Sequence, residues 1–143
     1  MNHEHRAATP AISWDWKEGK YWDLWMIVHF WSGVVIALII PFIKAPQELL
    51  VGIAFLGLLA WELVEYFFDI HEVIENRILD IVFGLAGLLL VTKYVVPELK
   101  QASAVGWGLM IAFVVLVVLG FFGWRAYKKR TVVLSASLST KGQ

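Results

Sequence analysis

At 143 residues the chain is one domain long, yet 59% of it is hydrophobic and only 17% charged, against roughly 45–50% and about 25% in soluble domains. A small soluble globule needs more polar surface and a disordered chain far less apolar content, so both give way to a membrane protein, as the mean hydropathy of +0.70 agrees. Twelve basic residues balance twelve acidic ones, leaving no basic field for nucleic acid, and the lack of cysteine excludes disulfides, iron–sulfur clusters and thiolate zinc sites.

Residues 1–21 are polar, and no small-residue cleavage site follows a short apolar core, so the segment is interfacial rather than a signal peptide. His3 and His5 fit a flexible terminus better than a metal chelate. Trp14, Trp16, Tyr21, Trp22 and Trp25 crowd the start of the first apolar run. Amphipathic rings of this kind favour the headgroup level and form aromatic belts.

Four apolar runs follow, at 22–42, 49–68, 76–96 and 103–124, each close to the ~20 residues that a helix needs to cross a bilayer. Pro41 and Pro46 flank the first gap, residues 69–75 make a polar turn, and Pro97 with Lys100 closes the third run. Proline cannot continue a helix ladder. The runs lack the period-two alternation of barrel strands, so helices must satisfy the backbone in lipid. The expected fold is all-α: a four-transmembrane-helix bundle over residues 22–124, with a basic tail over 125–143 ending in a mobile Ser/Thr/Lys stretch.

Four crossings put both termini on one face of the membrane, together with the 69–75 turn. That face carries nine Lys/Arg residues, including Arg125, Lys128, Lys129 and Arg130, against Lys44, Lys93 and Lys100 on the other. The positive-inside rule then places both termini in the cytoplasm, as a multi-pass protein of a cell inner membrane.

Ten of the twelve acids lie on the same half, several of them inside spans. At 1.5 Å per residue, His29 and Glu62 lie roughly 10 Å deep, with Glu65 and Asp80 roughly 6 Å deep. On the second helix Glu62, Glu65 and Asp69 share an arc of about 60°. On the third, Asn76, Asp80, Gly84 and Gly87 form one stripe, its glycines suited to close helix approach. Helices one, two and three are therefore expected to enclose a polar pocket near the cytoplasmic face, with the fourth facing lipid.

A charged side chain at such depth costs at least ~2.5–3.5 kcal/mol, so the acids must be protonated, paired or cation-bound. Only Arg77 and His29 are placed to help. Carboxylates and imidazole on facing helices are how bundles hold iron, manganese, zinc or magnesium, which makes His29, Glu62, Glu65 and Asp80 candidate ligands of a divalent metal. Asp69, Asn76 and Arg77 form a second polar cluster. The Glu-x-x-His pair of di-iron bundles is absent. The same residues suit acid–base work on a lipid headgroup, an ion path through an oligomer, or a clasp between helices. An axial ligand role for His29 toward haem or chlorophyll is the weaker reading, since aromatic neighbours are equally expected near an interface.

Trp61-Glu62-x-x-Glu65, a polar turn, Asn76-Arg77-x-x-Asp80 and Gly84-x-x-Gly87 together resemble the VanZ-like group of small bacterial membrane proteins. The likeness covers Val28 to Leu89 and matches His29, the acid at Glu62 or Glu65, and the Arg77…Asp80 pair. It departs at Gly84, where the family pattern favours Asn. The resemblance implies a bacterial inner-membrane protein with a role in envelope or lipid physiology and names no reaction. Membrane lipids are the expected partners, in a homo-oligomer or a larger membrane complex. The alternative expectation is a non-catalytic accessory subunit in which the polar cluster is a helix–helix clasp.

Overall fold

The structure, a computed structural model, describes residues 10–17, 19–67 and 73–141. Four helices dominate it: α1 (Trp25–Ile39), α2 (Gln47–Phe67), α3 (Ile74–Leu90) and α4 (Ala102–Lys141). With the short turns that continue α1 and α3, all four are long and apolar enough to cross a membrane. Among the described residues there is no strand, only one isolated bridge between Ile12 and Trp22.

Prolines shape the ends on one side of the bundle. Pro41 lies within a 3₁₀ turn, Ile40–Phe42, that ends α1, and Pro46 directly precedes α2, where it accepts the Leu50 N–H at 3.2 Å. Glu48 in the first turn of α2 complements the positive end of the helix dipole. α3 does not stop at Leu90 but runs into a π-helical turn, Val91–Val95, and a 3₁₀ turn, Val96–Glu98, that holds Pro97.

The first span starts three residues later than the apolar run suggested. Asp23 is the reason: its carboxylate accepts the backbone N–H of Trp25 at 2.9 Å and of Gly19 at 3.2 Å. Those bonds cap the start of α1 and fold the preceding segment back on itself. Ser13 N donates to Trp22 O at 2.8 Å, and Lys20 N to Pro10 O at 2.7 Å. Trp16 meets Trp25 edge-on at 5.3 Å and both rings lie over Gly123 of α4; Trp22 meets Phe83 of α3 at 5.5 Å. Of the expected aromatic belt, Trp14 is the indole left mostly exposed, at 76%.

α1 and α3 make the closest pair, α4 packs on α1, and α2 packs on α3. Glycine makes the α1–α3 contact possible. A Cβ on Gly33 would overlap the Gly84 carbonyl, and one on Gly87 would overlap the Phe30 carbonyl. Above this contact, Val34, Val35, Ala37, Leu38, Leu88 and Val91 form the buried core, joined by Val105 and Ala112 of α4. Most of α4 is uncovered, only 11% of its membrane window being buried, as a lipid-facing helix requires. Its backbone is helical through Lys141, so the helix runs on past the expected end of the span at Trp124 into the basic tail. No proline or glycine interrupts residues 125–141, and Arg, Ala, Lys and Leu favour helix.

Candidate functional site

The polar residues expected at one depth come from three helices, and the fold brings three of them together. His29 of α1, Glu62 of α2 and Asp80 of α3 are all buried, and each offers a ligand atom within 4.8 Å of the other two. His29 Nδ1 lies 3.8 Å from Glu62 Oε1, and His29 Nε2 lies 3.9 Å from Asp80 Oδ2. Both separations exceed hydrogen-bond length. Two donors about 2.1 Å from a common ion stand roughly 3–4 Å apart, so this spacing lies close to a coordination sphere.

Gly84 lets the site close. A Cβ there would come within 3.1–3.2 Å of the Leu58 methyls of α2 and 3.4 Å of the His29 carbonyl. Any larger residue at this position would require the Leu58 side chain to shift.

Arg77, one turn before Asp80, reaches Glu62 from the end of the pocket at Nε–Oε2 3.6 Å. Asn76 and Asp80 are fully buried, and the Asn76 amide nitrogen donates to Asp80 Oδ2 at 3.3 Å. The same nitrogen donates to Asp23 Oδ2 at 3.1 Å. Facing two carboxylates, the amide must present its N–H₂, which turns its carbonyl oxygen away. That oxygen is buried without a hydrogen-bond partner, as is Glu62 Oε2.

A further acid of α2 lies beside this group. Glu65 is half-buried and accepts the Trp61 indole N–H at 2.8 Å, a bond along its own helix. It is not one of the three convergent ligand residues. Asp69 lies outside the described residues, as do Glu72, His3 and His5. Glu75, off the polar stripe, pairs with Lys20 at 3.3 Å and ties the amino-terminal segment to α3.

Asp23 belongs to the site, and sequence reasoning missed it. The available signal was its position, an Asp immediately before a long apolar helix, which marks a helix start. Buried completely, it extends the polar chain from Asp80 through Asn76 to the loop before α1.

Charge decides what the pocket can do. Asp23, Glu62 and Asp80 are buried carboxylates facing one guanidinium, that of Arg77. Ionised, they leave two negative charges uncancelled. Such an excess calls for compensation, by a protonated carboxyl, by His29 as an imidazolium or by a bound cation.

Fold and site together define a helical protein with four helices long and apolar enough to span a membrane and a buried His/carboxylate cluster at one end of the bundle. No family model matches the chain, and no curated protein or solved structure matches it either.

Proposed function

We propose that this chain is a small bacterial inner-membrane protein, its termini cytoplasmic, whose His29/Glu62/Asp80 pocket binds one divalent cation near the cytoplasmic face. The convergence of three ligand atoms from three helices within 4.8 Å is the observation that carries the reading. The charge excess supports it, since a buried group of this kind is tolerable only when compensated. Arg77, paired with Glu62, keeps a guanidinium beside the bound ion. Cation and guanidinium together suit a lipid headgroup, in keeping with the envelope or lipid role that the VanZ-like resemblance implies. Glu65 and its Trp61 partner would border the approach.

Elemental analysis of the purified protein beside a Glu62→Gln variant tests this reading. Wild type should retain about one divalent metal per chain through gel filtration, and the variant should lose it while remaining folded. Metal-free wild type of undiminished stability would refute the cation site.

One observation favours a second reading. The two ring nitrogens of His29 face two different carboxylates, as a protonated imidazole joining three helices would. In that case the cluster is a clasp, and the protein serves as an accessory subunit of a larger membrane complex. Asp80→Asn separates the two: a clasp variant unfolds with activity per folded molecule unchanged, whereas a site variant folds and fails in a cellular assay.

A further inference from the structure

A second polar feature lies at the other end of the bundle, about 20 Å along α3 from Asp80 at 1.5 Å per residue. Here the regular helix gives way to the π-helical turn Val91–Val95. Such turns are rare and concentrate at functional sites. Pro97 accounts for the distortion, because its ring crowds the carbonyl four residues earlier, that of Lys93. The wide turn also takes the Val96 N–H to Val91 O, and the residue five after Thr92 is the proline, with no N–H to offer.

Beside this turn, between α3 and the start of α2, lies a groove of about 650 Å³, within the 300–1,000 Å³ typical of small-molecule sites. Val51, Leu89 and Leu90 make its apolar wall, and Thr92 and Lys93 supply its polar end. Thr92 is 6% exposed, and its buried hydroxyl has no hydrogen-bond partner. The Lys93 ammonium lies 5.1 Å from the Tyr94 ring centroid, and among the described residues no carboxylate pairs with it. Lys93 stands five residues before the end of its membrane-crossing segment, Ile74–Glu98, which is where a lysine reaches the headgroup layer.

We propose that this groove holds one anionic phospholipid, its phosphate paired with Lys93 and hydrogen-bonded to Thr92, its acyl chain lying against Val51, Leu89 and Leu90. A cation, an orphan hydroxyl donor and an apolar trough leading into the bilayer are complementary to that amphiphile. A free phosphate would leave the trough uncovered, and a zwitterionic headgroup brings its own ammonium toward Lys93. The site is separate from the His29 cluster and stands whether or not a metal binds there.

Native mass spectrometry of the detergent-solubilised, delipidated protein tests the proposal, titrating dioleoylphosphatidylglycerol, dioleoylphosphatidylcholine and inorganic phosphate separately. The expected result is one phosphatidylglycerol per chain, held about fivefold to tenfold more tightly than phosphatidylcholine, with no adduct of phosphate alone. Lys93→Gln should abolish that preference, and Thr92→Val should weaken phosphatidylglycerol binding severalfold. Lys44→Gln, at the same end of the bundle but outside the groove, should change neither. Equal binding of the two lipids, capture of bare phosphate, or an equal loss in Lys44→Gln and Lys93→Gln would overturn it. Lys93 is exposed, so its replacement leaves the fold intact, which a thermal unfolding curve verifies.

Discussion

Gly33 and Gly84 put the backbones of α1 and α3 in direct contact, so closely that a methyl group on Gly33 would overlap the Gly84 carbonyl and lie 2.7 Å from the Leu88 nitrogen. Backbone, unlike a flexible side chain, cannot step aside. Gly33→Ala should therefore cost about 1–3 kcal/mol of stability, read as a lowered midpoint of thermal unfolding in detergent. Gly52 and Gly57 of α2 have nothing within 4 Å of a built Cβ, and alanine at either should cause no loss.

Asn76 separates two carboxylates by donating to both. Asn76→Ala leaves Asp23 and Asp80 facing each other with fewer donors, at about 1–3 kcal/mol for each bond lost. Asn76→Asp adds a further buried negative charge and should be the more damaging of the two. Unfolding of both variants beside wild type checks the order, and a reversal would mean that the amide does not shield these acids from each other.

Metal removal gives a third prediction. A ligand that binds only the folded state stabilises it by mass action, by about 2.7 kcal/mol at a hundredfold excess over Kd. Chelator-treated protein should show a midpoint that rises with added Mn²⁺, Zn²⁺ or Mg²⁺ for at least one of these ions. Glu62→Gln should be indifferent to all three. A flat response in the wild type would count against the cation reading.

Gly84→Asn places a larger polar side chain between α2 and α3, and should weaken rather than improve the protein. Its Cβ would lie 3.1–3.4 Å from the Leu58 methyls and the His29 carbonyl, so Leu58 must shift and the α2–α3 packing beside Glu62 must adjust. Loss of metal retention together with a lowered midpoint is the expected pair of results.

Asp15, in the amino-terminal loop, offers a test by pH. The Ser13 hydroxyl donates to it at 2.7 Å and the Lys17 amide at 2.8 Å, which hold its carboxyl below the ordinary aspartate range. A depressed carboxylate contributes stability above its unfolded pKa and loses that contribution as pH falls through the folded value. The loop should thus keep its form from neutral pH into the ordinary aspartate range and change below it. Carbon-detected NMR of the Asp15 carboxyl should show a low midpoint, moved upward in Ser13→Ala.

The spans were legible because length and hydrophobicity alone decide a crossing. The convergence of His29, Glu62 and Asp80 was legible because rise and turn angle convert sequence spacing into depth and face. Three things were not. Asp23 hid among tryptophans, and its role depends on Asn76, which is distant in sequence. Glu65 shares a face with Glu62, yet the indole of Trp61, on the adjoining turn, claims it. The π-helical turn before Pro97 depends on how a crowded carbonyl is relieved, and apolar periodicity carries no trace of that.

His29 and Asp80 ride on two helices pressed together at glycine, while Glu62 rides on α2, whose main neighbour is α3 alone. The pocket thus resembles a vice with one fixed jaw and one adjustable jaw. Whatever tilts α2, whether bilayer thickness, a lipid lodged at its far end or a neighbouring subunit, changes the grip on anything held between them.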